Sequence, residues 1–392
     1  MDGGRGDPGR EGRSSLMRSL LILSFSDISA DARVRKQVEA FSGRFEVTTC
    51  GYGPRPRGAH RHIALPEHTE VWRYSRRLLL TRRYALAYEQ NEAIVAARKL
   101  LEGSAFDVIV ANDVDAVPLA LSLDPTYGVH ADLHEFAPSQ KSEMLRWRLF
   151  VAPFLAWICR RHVTRARSVT TVAAGIAEEY RRRFGITAEV VTNATPRADL
   201  VPTPTHRPLA LVHSGACFRN RHLDLMLDAV QQSTTPLTLD LYLTPNDPVY
   251  LNELKVRADQ TSNVRVHDAV PYDELVATLN DHDIGVFVLP PVNANYRWAL
   301  PNKLFDFVQA RLGVVIGPSP EMAAIVRAHG FGVVADDFSA ASLTRIFDAM
   351  VPSDVEGFKD AADRAAASLS AEEQQRIWVE AVDRMLPSET TS

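Results

Sequence analysis

Short apolar runs alternate with amphipathic stretches along nearly the whole chain, and most of the runs are rich in Val, Ile and Leu. The first half carries SLLILSF (19–25), RFEVTTCGYG (44–53), FDVIVAND (106–113), YGVHADLHE (127–135), SVTTVAAG (168–175) and AEVVTNAT (188–195). The second carries PLALVHSG (208–215), PLTLDLYL (236–243), NVRVHDAV (263–270), DIGVFVLP (283–290), GVVIGPS (313–319) and GVVADDF (332–338). Most lack strict inside–outside alternation, which marks parallel strands covered on both faces. Helices between such strands predict right-handed βαβ crossovers and doubly wound sheets. The Pro- and Thr-rich stretch NATPRADLVPTPTHRP (193–208) interrupts the alternation and reads as an inter-domain linker. The expected organisation is α/β, with two Rossmann-like doubly wound domains facing across a cleft: 17–195, a linker over 196–207, and 208–356. A helical region over 357–392 follows the last strand and can pack back on the body. Ligands of open parallel sheets sit at the carboxyl ends of the strands, so both domains should line one cleft.

Composition narrows the function. The 392 residues, 46% hydrophobic, suffice for two cores. A net charge of −4 gives no reason to expect nucleic acid as a partner. Cys50, Cys159 and Cys217 lie far apart with no C-x-x-C, which fits a reducing cytoplasm and argues against structural zinc. Residues 1–16 are Gly/Arg-rich and are expected to be a disordered tail. The run from Leu20 to Leu23 is too short for a signal or a span, so the expected location is cytoplasmic. Two stretches, WRYSRRLLLTRRYALAY (72–88) and MLRWRLFVAPFLAWICRRHVTRAR (144–167), interleave aromatics with arginine. They suit peripheral contact with an anionic membrane surface, on its inner face, or a pair of core-packed helices with basic outer faces.

The most pointed chemistry lies in ALPNKLFDFVQARLGVVIGPSPEM (299–322). Pro301 suits a first helical position, the free N–H groups of that turn favour an anion, and Lys303 adds a cation there. Asp306 follows three residues on, along the same face. A nucleoside diphosphate would fit, with its phosphates near Asn302, Lys303 and the amides, and its ribose diol on Asp306. The alternative is a Pro-capped helix with a surface ion pair. In LVHSGACFRNRHLDLMLDAV (211–230) a strand, a turn at Gly215 and a helix entrance bring up Arg219 and Arg221, either of which could clamp a phosphate.

In SDISADARVRKQVEAF (26–41), Asp31 precedes a helix bearing Arg33, Arg35 and Lys36. That suits an N-cap with a solvated basic face or, at Arg33, an acceptor or anion contact. Asp132-Leu-His134-Glu135 ends the fourth run on the expected cleft, where His134 is either catalytic or structural. There is no G-x-x-x-x-G-K-[ST], and Gly51-Tyr-Gly53 is followed by Pro54 rather than a helix start. Two D-x-D matches, at Asp113 and at Asp281, are no more than chance among 48 acids. No metal site is expected.

The second half resembles the donor domain of GT-B glycosyltransferases of the retaining family 4 type, through VPYDELVATLNDHDIGVFVLPP (270–291), NYRWALPNKLFDFVQARLGVVIGPSPEM (295–322) and HGFGVVADD (329–337). The first half is similar through SADARVRKQVEAF, VIVANDVDAVPLALSL (108–123), DLHEF and SVTTVAAGIAEEYRRRFGI (168–186). The resemblance implies retaining, metal-independent transfer of a hexose-type sugar from a UDP- or GDP-sugar. It implies a glycan, lipid-linked or small-molecule acceptor, and no cofactor beyond the nucleotide sugar as co-substrate. His134 then matches the cleft histidine near the anomeric carbon, where a neutral imidazole giving one hydrogen bond would serve. Asp306 matches the ribose-binding second of two glutamates eight positions apart, and Trp298 stands where the first would be. Ala216 occupies the usual arginine place after the Gly turn, and Arg221 matches the second cation. These departures leave open a catalytically silent nucleotide-sugar-binding partner protein or a sugar-nucleotide epimerase.

Overall fold

The computed structural model describes residues 17–291 and 294–387, so the tail expected over 1–16 lies outside the described residues. Seven strands form the first sheet: β1 (Ser19–Asp27), β2 (Glu46–Tyr52), β3 (Arg61–Ala64), β4 (Val108–Asn112), β5 (Val129–Leu133), β6 (Ser168–Thr171) and β7 (Glu189–Val190). Six form the second: β8 (Leu209–Ala216), β9 (Leu237–Thr244), β10 (Val264–Asp268), β11 (Ile284–Phe287), β12 (Gly313–Ile316) and β13 (Gly332–Val334). The orders are 3-2-1-4-5-6-7 and 10-9-8-11-12-13, with every pairing parallel. The order reverses between β1 and β4 and between β8 and β11, the switch points at which such sheets bind ligands.

Burial explains the sequence pattern. Each residue of β4, β5, β11 and β12 is buried, because helices cover both faces. By contrast β9, LTLDLYLT, alternates buried and half-buried positions. The sequence did not announce β3: RHIA offers one buried apolar residue, Ile63, and pairs at the sheet edge with β2. One apolar cluster runs from Leu133, Phe136 and Ile176 of the first half to Leu289, Leu300 and Leu304 of the second.

The linker is strapped down, since its polar backbone needs partners that no helix or sheet supplies. Ala198 N–H donates to Gln309 Oε1 (3.1 Å), and Arg311 Nη2 donates to the Ala198 carbonyl (2.9 Å). Lys359 Nζ donates to Thr203 Oγ1 (2.9 Å). Beyond it, helix Pro352–Ala365 packs on the second half, whereas helix Ala371–Asp383 crosses back to lie against helix Ala32–Ser42 and β6.

Arg33, expected as an acceptor or anion contact, is instead buried inside the first half. Its Nε and Nη2 donate to the two carboxylate oxygens of Asp132, both at 2.7 Å, and Nη1 donates to the Val191 carbonyl (2.8 Å) and Asn193 Oδ1 (3.0 Å). Trp378 of the last helix covers the guanidinium at 4.8 Å and donates its Nε1–H to Asp132 (3.3 Å). Gln37 and Thr170 donate to the same carboxylate at 2.7 and 2.6 Å. Burial alone would raise the Asp132 pKa; Arg33 and His134 overcome it and hold the carboxyl well below its ordinary range. Four of the five guanidinium N–H groups are spent inside the protein, and the side chain is buried, so Arg33 is built into the first half rather than presented to a ligand. Asp31 does cap the helix, accepting from the N–H groups of Arg33 and Val34. The D-x-D carboxylates Asp115 and Asp283 are likewise committed, the first bonded to Tyr74 and the second paired with Lys359 at 3.1 Å.

Candidate active site

Helix Asn302–Gln309 begins one residue later than expected, with Pro301 as its N-cap and no side chain capping the first turn. Its apolar residues Leu304, Phe305, Phe307 and Val308 are buried, which draws Lys303 and Asp306 inward as well. The two do not pair on the surface. Lys303 Nζ donates to the Ser214 carbonyl (2.7 Å), lies 3.3 Å from His213 Nε2 and sits 4.3 Å from the centroid of the Phe287 ring. His213 Nδ1 faces the Val286 carbonyl at 2.8 Å, so Nδ1 carries the proton and Nε2 accepts from Lys303. Burial first, and then the neighbouring charge of Arg221, pull the Lys303 pKa well below its usual value, while Asp306 opposes them.

Gly215 makes room for this lysine. Its φ is +137°, and a Cβ there would lie 2.8 Å from Lys303 Nζ. Asp306 accepts from Thr195 Oγ1 (2.5 Å), and burial raises its carboxyl to about 6 against the pull of Thr195, Lys303 and Lys36. A cavity of about 430 Å³ opens here, lined by Gly215, Tyr242, Val270, Tyr272, Asn302, Lys303 and Asp306 among others. Its lining combines the Tyr242 and Tyr272 rings, the Asp306 carboxylate and the Lys303 amine.

The two arginines after Gly215 separate. Arg219 turns outward to pair with Glu253 (2.7 Å). Arg221 lines a second cavity, of about 640 Å³, and its buried Nε has no hydrogen-bond partner. This second cavity lies between the halves, with His134, Glu135 and Asn193 on one side and Arg221, Asn295 and Trp298 on the other.

His134 follows directly on β5, and both its ring nitrogens face acceptors. Nε2 lies 3.1 Å from Asn112 Oδ1 and 3.4 Å from Asp132 Oδ2, while Nδ1 lies 3.5 Å from Asp113 Oδ2. Burial lowers the imidazole pKa, but Asp113 and Asp132 more than reverse that and raise it to about 9. The neutral imidazole expected from the sequence is therefore an imidazolium at neutral pH. Asp113 holds its place with φ +63°, rare for a residue with a side chain. Beside it, burial and the Asp113 charge raise the Glu135 carboxyl to about 7.

Three contacts close the halves over this cavity. Asn295 Nδ2 donates to Glu135 Oε2 (2.9 Å), and its Oδ1 accepts from Phe136 N–H (3.3 Å). Glu321 accepts from Gly175 N–H (2.7 Å) and Ala174 N–H (3.1 Å), capping from across the cleft a helix, Ala174–Phe184, that has no side-chain cap of its own. Trp298 fills the space over Gly175, where a Cβ would lie 2.4 Å from its Cδ1. Sequence reasoning thus placed Gly215, Arg221, Asn302, Lys303, Asp306 and His134 on the cleft. It missed Thr195, Tyr272, Asn295 and Glu321. None belongs to a spacing pattern, and each is defined by a partner distant in sequence.

No protein-family model matches the chain, and no curated protein matches it. Among solved structures it is similar to sucrose-phosphate synthase (tll1590) from Thermosynechococcus elongatus, with TM-score 0.71 and 12% identity over 94% of this chain and 99% of that one. It is similar to Anabaena Alr3699/HepE, in complex with UDP and glucose, with TM-score 0.66 and 12% identity over 94% and 100%. The α,α-trehalose 6-phosphate synthase from Burkholderia multivorans aligns with TM-score 0.65 and 10% identity over 94% and 99%. These likenesses establish the fold, two Rossmann-like domains facing across a cleft in the GT-B arrangement.

Proposed function

We propose that the chain is a glycosyltransferase using a nucleoside-diphosphate sugar. The observation that carries this reading is the pair of cations at the cleft. Arg221 lies close enough to Lys303 to disfavour its charge, neither forms an ion pair among the described residues, and the Arg221 Nε–H is buried unpartnered. A diphosphate between them would relieve both and stabilise the charge that develops as the nucleotide leaves. The ribose would rest on Asp306 and the base between Tyr242 and Tyr272. These cations can do the work that a divalent ion does elsewhere, so the proposed reaction is metal-independent. Its stereochemistry is retaining, by front-face attack assisted by the leaving phosphate, and His134 orients the sugar or the acceptor hydroxyl.

UDP is the first nucleotide to test, because HepE is described in complex with it; GDP is the second. Calorimetry in EDTA should show UDP binding that weakens roughly 10- to 100-fold in Lys303→Ala and in Asp306→Ala. Wild-type affinity should also fall as pH drops through about 6, where Asp306 protonates. Equal affinity in wild type and both variants would remove the donor assignment. Trp298, wedged where a sugar-contacting carboxylate was expected, favours a second reading as a nucleotide-sugar-binding partner protein. Labelled UDP-glucose separates the readings: transfer supports the enzyme, binding without turnover the partner protein, and an isomerised nucleotide sugar an epimerase.

The acceptor is proposed to be a lipid-linked or envelope glycan met at an anionic membrane surface. Trp72, Leu80, Leu145 and Leu149 are 67%, 59%, 64% and 56% exposed, where core-packed helices would hide them. The two stretches that carry them, 72–88 and 144–167, hold arginine at 73, 76, 77, 82, 83, 146, 148, 160, 161, 165 and 167 and no Asp or Glu. The two stretches pack against each other, since Tyr74 and Tyr84 both meet Phe154. No helix among the described residues is long and apolar enough to cross a membrane. Sedimentation with phosphatidylglycerol vesicles at low salt should capture the protein, and phosphatidylcholine vesicles should not. Equal sedimentation with both would withdraw the membrane contact.

A further inference from the structure

A third cavity, of about 710 Å³, lies between helix Ala32–Ser42, the turn after β2 and the linker. Arg35, Lys36, Arg55 and Arg57 line it from the first half and Tyr272 from the second. Among the described residues, none of the three arginines has an ion-pair partner. Lys36 Nζ donates to the Ala194 carbonyl, and burial together with the charges of Arg33 and Arg35 pulls its pKa down to about 8 against the opposing charges of Asp306 and Glu372.

Nearby acids offset this group only in part, with Asp306 and Glu372 acting on Lys36 and no carboxylate paired with the three arginines among the described residues. Asp27 spends its carboxylate on Ser29 and the Ala30 N–H, and Glu372 accepts from the Arg197 N–H. Only Glu39 shares the lining, so four cations face one carboxylate. The turn that presents two of them, GYGPRPRG (51–58), is stiff. Gly53 and Gly58 take φ of +79° and +93°, and Pro54 and Pro56 fix the backbone beside each arginine. A backbone fixed in advance leaves only the exposed arginine side chains to be ordered when an anion arrives.

We infer that this cavity is a second anion site, taking a soluble small molecule that bears a phosphate or diphosphate group. It is concave and shares no residue with the exposed arginine-rich face, which suits a soluble ligand rather than a bilayer. It shares Tyr272 with the donor pocket and no lining residue with the cavity at His134. An anion here would touch both halves, so its binding and that of the nucleotide should alter each other by one common factor. The site stands on its own cations; only this coupling rests on the proposed function.

Pyrophosphate, titrated into the full chain at fixed ionic strength, is the probe. Wild type should bind it saturably with UDP already saturating. Arg55→Ala/Arg57→Ala should weaken that binding at least tenfold while leaving UDP affinity, measured without pyrophosphate, within a few-fold. Lys303→Ala should still bind pyrophosphate. Should UDP itself fail to bind, loss in the arginine variant together with retention in Lys303→Ala would still uphold the site. Absence of saturable binding, or binding lost in Lys303→Ala and indifferent to the arginine pair, would overturn it by returning the anion to the donor pocket.

Discussion

Arg33→Ala is expected to cost the chain about 3–5 kcal/mol of folding stability, the usual scale for removing one partner of a buried ion pair. The alanine would leave Asp132 buried with its strongest neighbour gone, strip the Val191 carbonyl of its donor and open a space under Trp378. Arg33→Lys should recover only part of the loss, because an ammonium cannot donate to both carboxylate oxygens along a planar fork. Thermal unfolding should register a fall of roughly 4–6 °C for the alanine variant. A shift within about 2 °C would mean that the carboxylate is held adequately by Gln37, Thr170, His134 and Trp378 without the guanidinium.

His134→Ala should lower transfer by about 10²-fold or more while leaving nucleotide affinity within a few-fold. The reason is geometric: His134 lies on the first half, and only the sugar or the acceptor can reach it from the diphosphate cations. His134→Gln should not restore turnover, because an amide cannot supply the positive charge that Asp113 and Asp132 hold in place. The same charge has a stability signature. The folded-state pKa of about 9 lies above the ordinary 6.5, so the contribution is complete below pH 6.5 and is lost as pH rises through 9. The stability gap between wild type and His134→Gln, on the order of 3 kcal/mol at pH 6, should therefore close by about pH 10. Normal turnover in His134→Ala, with that gap intact, would make the residue purely structural.

The doubly wound halves were legible because parallel strands buried on both faces need continuous apolar runs, and helix-forming stretches separate them. β3 was not, since an edge strand with one buried side chain needs no such run. The donor helix was legible as a position but not as a set of contacts. Lys303 and Asp306 share a face at i,i+3, yet burial sends the amine to the Ser214 carbonyl and the carboxylate to Thr195. Arg33 looked like a ligand contact for a comparable reason. A basic residue after an N-cap is ordinarily solvated, and nothing within the helix discloses a carboxylate 99 positions away. Glu321 capping a helix on the opposite half lies further still from any local pattern.

The return of the last helix to the first sheet sets a timetable for synthesis. Trp378, which covers Arg33 and donates to Asp132, leaves the ribosome roughly 190 residues after β7, so at about 5–20 residues per second the first half waits some 10–40 s for its lid. During that interval the charged pair stands beside open water, and Val108, Val110 and Val191 lack the packing that Trp378 and Val382 bring. The second half can complete its own sheet in the meantime, because its strands lie wholly between 209 and 334. The half made first is thus the half finished last, and the arrival of helix Ala371–Asp383 is the event that seals it.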